Sequence, residues 1–537
     1  MKLLLRIVFF LGIVSAAGSA AETKRPNILF VFADDWGRYA GIYQKHGAPG
    51  SPLAAVNEFV RTPTIDALAS QGVLFRNAHV NAPSCTPCRS SLVSGQYFWR
   101  TGRGAILNGA QWDPSIPSFP LLLRDAGYAI GKSYKIWGPG VPADGPFDGK
   151  RHAYEQAGNR FGQFSQHVTK ISAKGKSIED AKGVLFDEVR GNFRRFLGDR
   201  DPAKPFLYWF GPTNTHRQWQ QGSGKALWNI DPDALKGKIP PFLPDVPEVR
   251  EDLADYLGEV AALDGAIATL IDELKKTGEY DNTLIVVSGD HGAPGFPNGK
   301  CNLYTFGTGV ALAITGPGVK GGRVVDDFVN LTDLAPTFLE AAGVAVPPVV
   351  TGRSLWPLLR SEKSGQIDPE RTWTVTGRER HVDSARDGFL PYPQRAIHSG
   401  HFLYIINFKP ERDPLGSYAI LDQEGKGVTP ERVGKDTRVV LGDVDAGPTK
   451  AWLVANRGTE LGKPYFDRAF GKRPKEELYD LSKDPYETVN VAADPAYATI
   501  RADLESKLLA ELKRTGDPRL VNDGSYYENP PLSGPAR

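Results

Sequence analysis

Four short apolar runs, each followed by a polar turn, constrain the fold of this chain more than any other feature. They occupy residues 27–33 (NILFVFA), 205–210 (PFLYWF), 283–288 (TLIVVS) and 310–315 (VALAIT). Such runs, without alternating polar residues, are typical of strands buried on both faces of a parallel sheet. Residues 249–276 carry an aliphatic side chain every three or four positions, which predicts an amphipathic helix that ends at Gly278. Strands alternating with helices predict an α/β fold with a large doubly wound mixed sheet flanked by helices.

The length of the chain, 537 residues, predicts two domains, because single cores stop growing near roughly 250–300 residues. After residue 358 the sequence changes to charged loops, and SEKSGQIDPER is typical of a linker. We expect a larger N-terminal domain over 22–365 that holds the chemistry. The smaller C-terminal domain, over 366–537, is expected to be α+β, with a short antiparallel sheet and a helix at 495–514.

The first 21 residues are typical of a cleaved signal peptide. They have a basic start with Lys2 and Arg6, an apolar run that ends at Val14, and small residues through Ala21. The run is shorter than the roughly 20 apolar residues that span a membrane. We therefore expect a secreted or periplasmic protein without stable membrane insertion.

The overall charge is nearly balanced, with 64 Lys and Arg against 62 Asp and Glu. This balance gives no reason to expect nucleic-acid binding. A preference for anionic substrates must come from a local group of residues. The sequence leaves the oligomeric state open, a homodimer being one option.

The three cysteines are Cys85, Cys88 and Cys301, too few for a disulfide scaffold, and the odd number leaves at least one thiol unpaired. Cys85 and Cys88 form the sequence CTPC, a spacing also found in thiol-disulfide oxidoreductases. Redox motifs of that kind normally belong to a small thioredoxin-like unit, whereas here Arg89 follows immediately and an acidic pair lies upstream. A redox pair and a Cys85–Cys88 disulfide remain alternatives.

Acidic residues follow two of the predicted strands. Asp34 and Asp35 come directly after the first strand, and Asp290 with His291 follows the strand at 283–288. Adjacent carboxylates repel each other unless they are solvated or bridged by a cation. Sites gather at the carboxyl ends of parallel strands, and oxygen ligands suit calcium. Each acidic pair alone would more often be a solvated turn, but two of them in one α/β domain favour a metal site.

The strongest motif is CTPCRSSLVSG, residues 85–95. It resembles the signature of the formylglycine-dependent sulfatase family, in the alkaline phosphatase superfamily. The resemblance implies that a formylglycine-generating maturation enzyme converts Cys85 to an aldehyde (3-oxoalanine), which is hydrated to a diol, and that Arg89 helps to hold it. One hydroxyl of the diol attacks sulfur, and the other later expels sulfate.

Other segments resemble the same family in the same order along the chain. Residues 27–37 (NILFVFADDWG) are similar to the start of the family, which makes Asp34 and Asp35 calcium ligands by resemblance. Asp290 and His291 look like the remaining ligand pair, and the modified Cys85 joins them.

Three cationic or titratable residues match catalytic positions of the family. GYAIGKSYKIWGP resembles the stretch with a catalytic lysine, which gives that role to Lys135. Many sulfatases have a histidine two residues later, but this chain has Trp137, which leaves the general acid open. His216 matches another active-site histidine that could donate a proton to the leaving group, and Lys300 matches a second cation that contacts sulfate.

Within the family, the segments around residues 241–267, 296–308 and 392–412 resemble most the heparan N-sulfatase (sulfamidase) branch. Cations in the second domain are candidates for the pocket rim, where arginine forks would suit sulfate or carboxylate groups on neighbouring sugars. A charged surface loop is the equal alternative for these residues. They are Arg378, Arg380, His381 and Arg395.

The resemblance therefore implies a calcium-dependent sulfatase that removes O-sulfate or N-sulfate from a sulfated carbohydrate such as heparan sulfate. Two alternatives stay open. A phosphodiesterase or phosphonate hydrolase of the same superfamily needs similar charge stabilisation. A sulfoglycan-binding protein would keep the fold but leave Cys85 as a thiol.

Overall fold

The computed structural model describes residues 24–47, 55–418 and 427–535. The predicted signal peptide, 1–21, lies outside the described residues. Within these ranges, none of the helices combines the length and the apolar character that crossing a membrane requires.

Thirteen strands form three sheets in the described part of the chain. They are β1 (Asn27–Ala33), β2 (Val73–Phe75), β3 (Ala78–His79), β4 (Ala129–Tyr134), β5 (Phe206–Gly211), β6 (Thr283–Gly289), β7 (Leu312–Thr315), β8 (Arg323–Val325), β9 (Val329–Asn330), β10 (Trp373–Arg378), β11 (Gln394–Ser399), β12 (Phe402–Asn407) and β13 (Glu476–Asp480). The main sheet has seven strands in the order β4-β5-β1-β6-β7-β2-β8. Only β7 runs antiparallel to its neighbours β6 and β2 in that sheet. The prediction of a large mixed sheet is confirmed.

Sixteen α-helices accompany these strands in the described residues. They are α1 (Ile42–His46), α2 (Pro63–Gln71), α3 (Cys85–Ser94), α4 (Phe119–Asp125), α5 (Phe164–Ser172), α6 (Ile178–Asp199), α7 (Ser223–Trp228), α8 (Pro247–Lys276), α9 (Thr305–Thr308), α10 (Leu334–Ala341), α11 (Trp356–Arg360), α12 (Pro430–Lys435), α13 (Pro448–Asn456), α14 (Gly462–Phe470), α15 (Ala498–Arg514) and α16 (Pro518–Val521). The helix predicted at 249–276 is α8, which begins two residues earlier.

The side chains of β1 show how helices cover both faces of the main sheet. Leu29 and Val31 belong to the apolar core that includes α6 and α8. Ile28 and Phe30 belong to the core on the other face, which includes α3, α4 and α10. Because successive side chains of a strand point to opposite faces, an uninterrupted apolar run supplies both cores.

The central strands β5, β1 and β6 are neighbours and run parallel. Ile28 pairs with Leu207 on one side and with Leu284 on the other. Their carboxyl ends therefore meet at one edge of the sheet, and the turns after all three strands lie there.

The C-terminal part contains a four-stranded antiparallel sheet in the order β10-β11-β12-β13. The helix α15 packs on it through Leu504, Leu508 and Leu512. The predicted antiparallel sheet and helix are confirmed, although the first residues of the predicted helix, Pro495–Tyr497, form a 3₁₀ turn. The domain boundary at 365 stays a prediction; β10, the first strand of this sheet, begins at Trp373.

A long segment between β12 and β13 carries α12, α13 and α14. We call residues 409–475 the β12–β13 insertion. Its described part has its own apolar cluster, which includes Val433, Leu453 and Phe470. This cluster also contains Cys301 of the N-terminal part, so the insertion packs beside the turn that follows β6.

Candidate functional site

Cys85 is the first residue of α3, and every residue of that helix is buried. Its Sγ lies 3.5 Å from His291 Nε2 and 3.9 Å from Asp35 Oδ1. The helix ends at Gly95, whose φ of +65° is a left-handed conformation that glycine adopts without strain. The N-terminus of a helix favours negative charge, so Cys85 occupies a position suited to an anionic group.

Three carboxylates surround Cys85 because the turns after β1 and β6 are adjacent. The Asp35 backbone N–H donates to Asp290 Oδ1 at 2.7 Å, which ties the two turns together. Asp34, Asp35 and Asp290 are all buried. Asp35 has a φ of +56°, a left-handed conformation that aspartate tolerates better than most residues.

Arg89 bridges two of these carboxylates from the next turn of α3. Its Nη2 donates to Asp34 Oδ1 and its Nε to Asp290 Oδ2, both at 3.0 Å. Its Nη1 donates to the backbone oxygens of Lys135 and Ile136 at 3.2 Å. Arg89 thus holds α3, the turn after β4 and both acidic turns in one arrangement.

Two lysines complete the positive side of the site. Lys135 Nζ lies 2.8 Å from both oxygens of Asp34. Lys300 Nζ lies 3.0 Å from Asp35 Oδ2 and 3.3 Å from His216 Nε2. Lys300 is almost fully buried, whereas about a third of the His216 side chain is exposed. His216 therefore faces the opening of the site.

The charges of the site shift several pKa values. Burial raises the pKa of Asp34, but Lys135 and Arg89 outweigh it and hold this pKa well below its usual range. Burial raises the pKa of Asp290, although His291 and Arg89 oppose it. Burial also raises the pKa of the Cys85 thiol well above its ordinary value, against the opposing effect of Lys135 and Lys300. An unmodified Cys85 is therefore a protonated, weakly nucleophilic thiol.

The donor atoms fit a hard divalent ion. Potential ligand atoms of Asp35, Cys85, Asp290 and His291 all lie within 4.8 Å of one another. His291 Nε2 is 3.2 Å from Asp35 Oδ1 and 3.6 Å from Asp290 Oδ1. Ligands about 2.4 Å from a calcium ion lie about 3.4 Å apart when they are adjacent in an octahedral shell. Asp34 lies beside this group and also belongs to a second overlapping one, with Asp35, Cys85 and His216.

The geometry supports neither a redox pair nor a disulfide between Cys85 and Cys88. Cys85, Cys88 and Cys301 are all free thiols. Cys88 contributes to the apolar core beneath α3, so the two cysteines of CTPC have different environments. This arrangement is unlike a reactive redox pair, which needs an accessible thiolate.

Trp137, at the position where many sulfatases have a histidine, supports α3. It is buried, and its Nε1 donates to Ser90 Oγ on α3 at 2.8 Å. It packs edge-on against Trp112. Trp137 therefore fixes α3 and does not reach the cleft.

The arginines expected at the pocket rim are buried instead, which corrects the predicted location. Arg395 is fully buried between Glu379 and Asp517. Arg378 pairs with Asp443 and donates to the Cys301 carbonyl at 2.7 Å. Strand β10 and its partner β11 direct these side chains into the molecule, where long cationic groups require carboxylates or carbonyls as partners.

Arg380 and His381 follow β10 and are buried as well. Arg380 donates to backbone oxygens, including that of Asn108 at 2.7 Å. His381 Nδ1 lies 2.8 Å from Ser84 Oγ, next to Cys85, and burial lowers its pKa to about 3. His381 is therefore a neutral support beneath the site.

A cleft of about 560 Å³ leads from the site to the surface. At its inner end it is lined by Asp34, Lys135 and His216, and further out by Arg160 and His167. No motif or periodicity marks the two outer residues, which lie before and within α5.

One acidic residue close to the site was missed from the sequence. Asp445, in the β12–β13 insertion, lies 3.2 Å from Lys300 Nζ. It occurs in VVLGDVDAGP, a stretch without any motif, and only the packing of the insertion brings it here.

Comparisons with known proteins agree on one family. The sulfatase family model matches residues 26–344. N-sulphoglucosamine sulphohydrolase of Homo sapiens is 29% identical over 92% of this chain and 91% of its own length. An ulvan-active sulfatase of Formosa agariphila is 26% identical over 93% of this chain and 82% of its own.

Solved structures agree on the fold. A Bacteroides thetaiotaomicron structure, from work on the metabolism of multiple glycosaminoglycans, has a TM-score of 0.62 at 20% identity over 93% of this chain and 98% of its own. A phosphonate monoester hydrolase from Silicibacter pomeroyi has a TM-score of 0.57 at 19% identity, over 92% of this chain and 97% of its own length. Because enzymes with different substrates share this fold, function has to be argued from the site.

Proposed function

This chain belongs to the sulfatase family, and from that premise we propose that it is a secreted, calcium-dependent sulfatase that removes O-sulfate or N-sulfate from a sulfated glycan. We propose formylglycine, made from Cys85 by a maturation enzyme, as its nucleophile. The observation that carries the proposal is the position of Cys85 at the N-terminus of α3, in contact with Asp35 and His291. The proposal of secretion depends on the sequence of the first 21 residues.

Asp34, Asp35, Asp290 and His291 would hold the calcium ion, with the modified Cys85 beside them. When bound, calcium polarises a sulfuryl oxygen, and the aldehyde hydrate supplies the attacking oxygen. These carboxylates are buried, so little solvent would compete with them for the ion.

Arg89 is proposed to hold the nucleophile and the acidic turns in register. Its two ion pairs fix Asp34 and Asp290, while two hydrogen bonds to the backbone oxygens of Lys135 and Ile136 fix its own guanidinium. A planar guanidinium can make all of these contacts at once, which a lysine cannot. This arrangement supplies the fixed geometry that a reacting group requires.

Lys135 and Lys300 are proposed to donate to sulfate oxygens. Burial lowers the pKa of each lysine, but nearby carboxylates outweigh this effect. Asp34 raises the pKa of Lys135 to about 12, and Asp35 raises that of Lys300 well above its usual range. Both lysines are therefore protonated. Fixed cations that face developing negative charge lower the barrier of such reactions.

His216 is proposed as the proton donor to the leaving group. It lines the cleft next to Lys135, and this chain has Trp137 where many sulfatases have a second histidine. A glycan alcohol or amine is a poor leaving group without protonation, so a general acid is required.

The substrate class follows from the relatives and remains part of the proposal. The human relative is named for N-sulfoglucosamine, and a Bacteroides thetaiotaomicron relative, 27% identical over 65% of this chain and 73% of its own length, is an N-acetylglucosamine-6-O-sulfatase. We therefore propose sulfated glucosamine units as the first substrates to test, with N-sulfoglucosamine ahead of 6-O-sulfated forms.

Mass spectrometry of the Cys85 peptide tests the mechanism. Conversion to formylglycine lowers the peptide mass by roughly 18 Da and makes it reactive to hydrazines. An active preparation in which this peptide carries only a thiol or a disulfide would refute the proposed nucleophile. Cys85→Ala is expected to abolish turnover without unfolding the protein, whereas Cys301→Ala, at a free thiol outside the motif, should retain turnover.

Defined sulfated disaccharides test the substrate class. Wild-type protein is expected to release sulfate from a disaccharide with N-sulfoglucosamine or 6-O-sulfoglucosamine at its end. Turnover of an aryl phosphate diester without any turnover of sulfated sugars or aryl sulfates would contradict the proposal.

A further inference from the structure

A carboxylate from outside the family-matched residues reaches the cationic side of the site. Asp445 Oδ2 lies 3.2 Å from Lys300 Nζ, and Asp35 Oδ2 lies 3.0 Å from the same atom. Lys300 is thus held between two carboxylates. One comes from the turn after β1, and the other comes from the β12–β13 insertion.

The chain on the N-terminal side of Asp445 is firmly anchored. Asp443 is buried and accepts the Val382 backbone N–H at 2.8 Å and Arg386 Nη2 at 2.7 Å. It also pairs with Arg378. These contacts attach the segment to the loop that follows β10, and they explain why Arg378 is buried away from the rim.

The chain on the C-terminal side is anchored to a different element. Thr449 Oγ1 donates to Asp252 Oδ2 on α8 at 2.6 Å. Lys450 Nζ donates to the Val444 carbonyl at 2.8 Å, inside the insertion itself. Asp445 is therefore fixed from both sides, which is the support that a precisely placed functional group requires.

The Asp445 carboxylate is charged and pairs with Lys300. Burial raises its pKa, yet Lys300 and His216 outweigh burial and hold the pKa well below its usual range. Its Oδ2 is buried without a well-oriented hydrogen bond, so the contact with Lys300 is an ion pair. The Asp445 side chain is about 14% exposed, and its ion pair with Lys300 is the contact that links the insertion to the site.

The charge balance of the site depends on this residue. Four carboxylates face three cationic side chains, so that a bound divalent ion leaves a net charge of about one positive unit when the histidines are neutral. The carboxylates are those of Asp34, Asp35, Asp290 and Asp445, and the cations are Arg89, Lys135 and Lys300. A sulfate ester or sulfamate carries one negative charge, whereas a phosphate monoester carries close to two at neutral pH. Without Asp445 the net charge of the site would match a phosphate monoester better than a sulfate ester or sulfamate.

We propose that Asp445 is a positioning residue that holds Lys300 and restricts the site to reacting groups with a single negative charge. The inference rests on the proposed sulfatase function. It assigns the β12–β13 insertion to the active site, and it gives a reason why the enzyme would reject phosphate monoesters that share the geometry of its substrate.

Neutral replacements at Asp445 test this proposal. Asp445→Asn keeps the size of the side chain and removes its charge, Asp445→Ser removes the amide as well, and Asp445→Glu keeps the charge. The matched control is Asp467→Asn, a carboxylate on α14 that is more than half exposed and pairs with Lys463 one turn away. The measurement is kcat/KM for an aryl sulfate and for the phosphate monoester of the same phenol.

Both neutral variants are expected to raise the phosphate-to-sulfate ratio of kcat/KM by about tenfold, the factor that corresponds to about 1.4 kcal/mol. Asp445→Glu and Asp467→Asn should keep the wild-type ratio. An unchanged ratio in both neutral variants, or the same shift in Asp467→Asn, overturns the proposal.

Calorimetric binding of inorganic phosphate separates this inference from the proposed function. At about pH 8 inorganic phosphate is mostly a dianion, and Asp445→Asn should bind it several-fold more tightly than wild type. A lack of sulfatase activity in the wild-type protein would contradict the proposed function. The comparison of phosphate affinity between wild type and Asp445→Asn would still decide the role of Asp445. Equal phosphate affinity in wild type and Asp445→Asn overturns the inference.

Discussion

The two ring nitrogens of His216 have different surroundings. Its Nδ1 lies 2.6 Å from the Arg217 carbonyl oxygen, which can only accept, so Nδ1 carries a proton. Its Nε2 faces the site, 3.8 Å from Asp35 Oδ2 and 3.3 Å from Lys300 Nζ. The carbonyl thus fixes the tautomer, and in the proposed mechanism Nε2 is the atom that would pass a proton to the leaving group.

His216→Gln is expected to lower kcat according to the leaving group. For a sulfated sugar, whose leaving oxygen or nitrogen needs a proton, kcat should fall by roughly 10²–10⁴-fold, the usual contribution of a general acid. For a nitrophenyl sulfate, whose leaving group needs little protonation, kcat should fall far less. Parallel measurement of kcat on both substrates checks this.

The control is His401→Gln, because His401 is a largely exposed histidine in the turn between β11 and β12. It should have wild-type kcat on both substrates. Equal losses on the two substrates in His216→Gln would contradict the assignment of His216 as the acid and would instead indicate a role in binding.

The sequence located the inner residues of the site because each follows a predicted strand or lies in a motif. Asp34 and Asp290 follow apolar runs whose parallel pairing places their ends together. Asp445 could not be found in this way, since neither periodicity nor motif marks it. Arg395 shows the opposite failure: a cation in a family-like segment was expected at the rim, but its burial depends on Glu379 and Asp517, which are distant in sequence.

At the scale of elements, α8 carries buried carboxylates that serve neighbouring helices. Asp264 accepts the backbone N–H of Ile65 at 2.8 Å, in the first turn of α2. Asp255 accepts the N–H of Gly224 at 2.7 Å, in the first turn of α7. These N–H groups have no partner within their own helices, so α8 caps the helices that pack against it.

Glu259, on the same helix, gives the stability a pH dependence. It is buried, and burial raises its pKa from 4.5 to about 7. Between those values the folded state binds more protons than the unfolded state, so the free energy of unfolding falls as the pH rises through this range. Below it the carboxyl is protonated in both states and the penalty disappears.

Glu259→Gln should therefore raise the free energy of unfolding, relative to wild type, more at high pH than at low pH. We expect the difference in unfolding free energy between variant and wild type to grow by on the order of 3 kcal/mol from about pH 4.5 to about pH 7.5. Urea unfolding at several pH values measures it. Glu248→Gln, at an exposed position in the first turn of α8, should show no such growth, and a flat difference for Glu259→Gln would contradict the buried-charge explanation.

The elements that the sequence predicted best are those whose pattern alone determines them. The apolar runs became β1, β5, β6 and β7, and the aliphatic spacing became α8. The β12–β13 insertion was not predicted, because its helices are short and their apolar residues pack mainly against one another and against Cys301. Such a local cluster leaves no long periodic signal.

At the scale of the whole molecule, direct hydrogen bonds join the main sheet's domain to the C-terminal part. Tyr97 OH donates to Glu511 Oε1 at 2.9 Å. Tyr304 OH donates to Glu477 Oε2 at 2.8 Å. Because Lys300 of the site pairs with Asp445 of the C-terminal part, we expect a change at the acidic cluster to affect the stability of both parts together.

Calcium is therefore expected to raise the melting temperature of the whole chain rather than of one part. The carboxylates of Asp34, Asp35 and Asp290 are buried close together, and their mutual repulsion decreases when a divalent ion binds to them. Binding to the folded state alone stabilises by about 2.7 kcal/mol at a hundredfold excess over Kd. Thermal melts in calcium and in chelator should differ by a few degrees, in a single transition.

The variants that check this response separate metal binding from catalysis. Asp290→Asn should lose most of the calcium-dependent shift because it removes a charged oxygen donor, whereas Asp467→Asn, at an exposed site, should retain it. Cys85→Ala should also keep most of the shift, since the carboxylates carry the greater part of the affinity for a hard cation. A calcium response that is absent in wild type, or undiminished in Asp290→Asn, would show that the acidic cluster is balanced by Arg89, Lys135 and Lys300 alone.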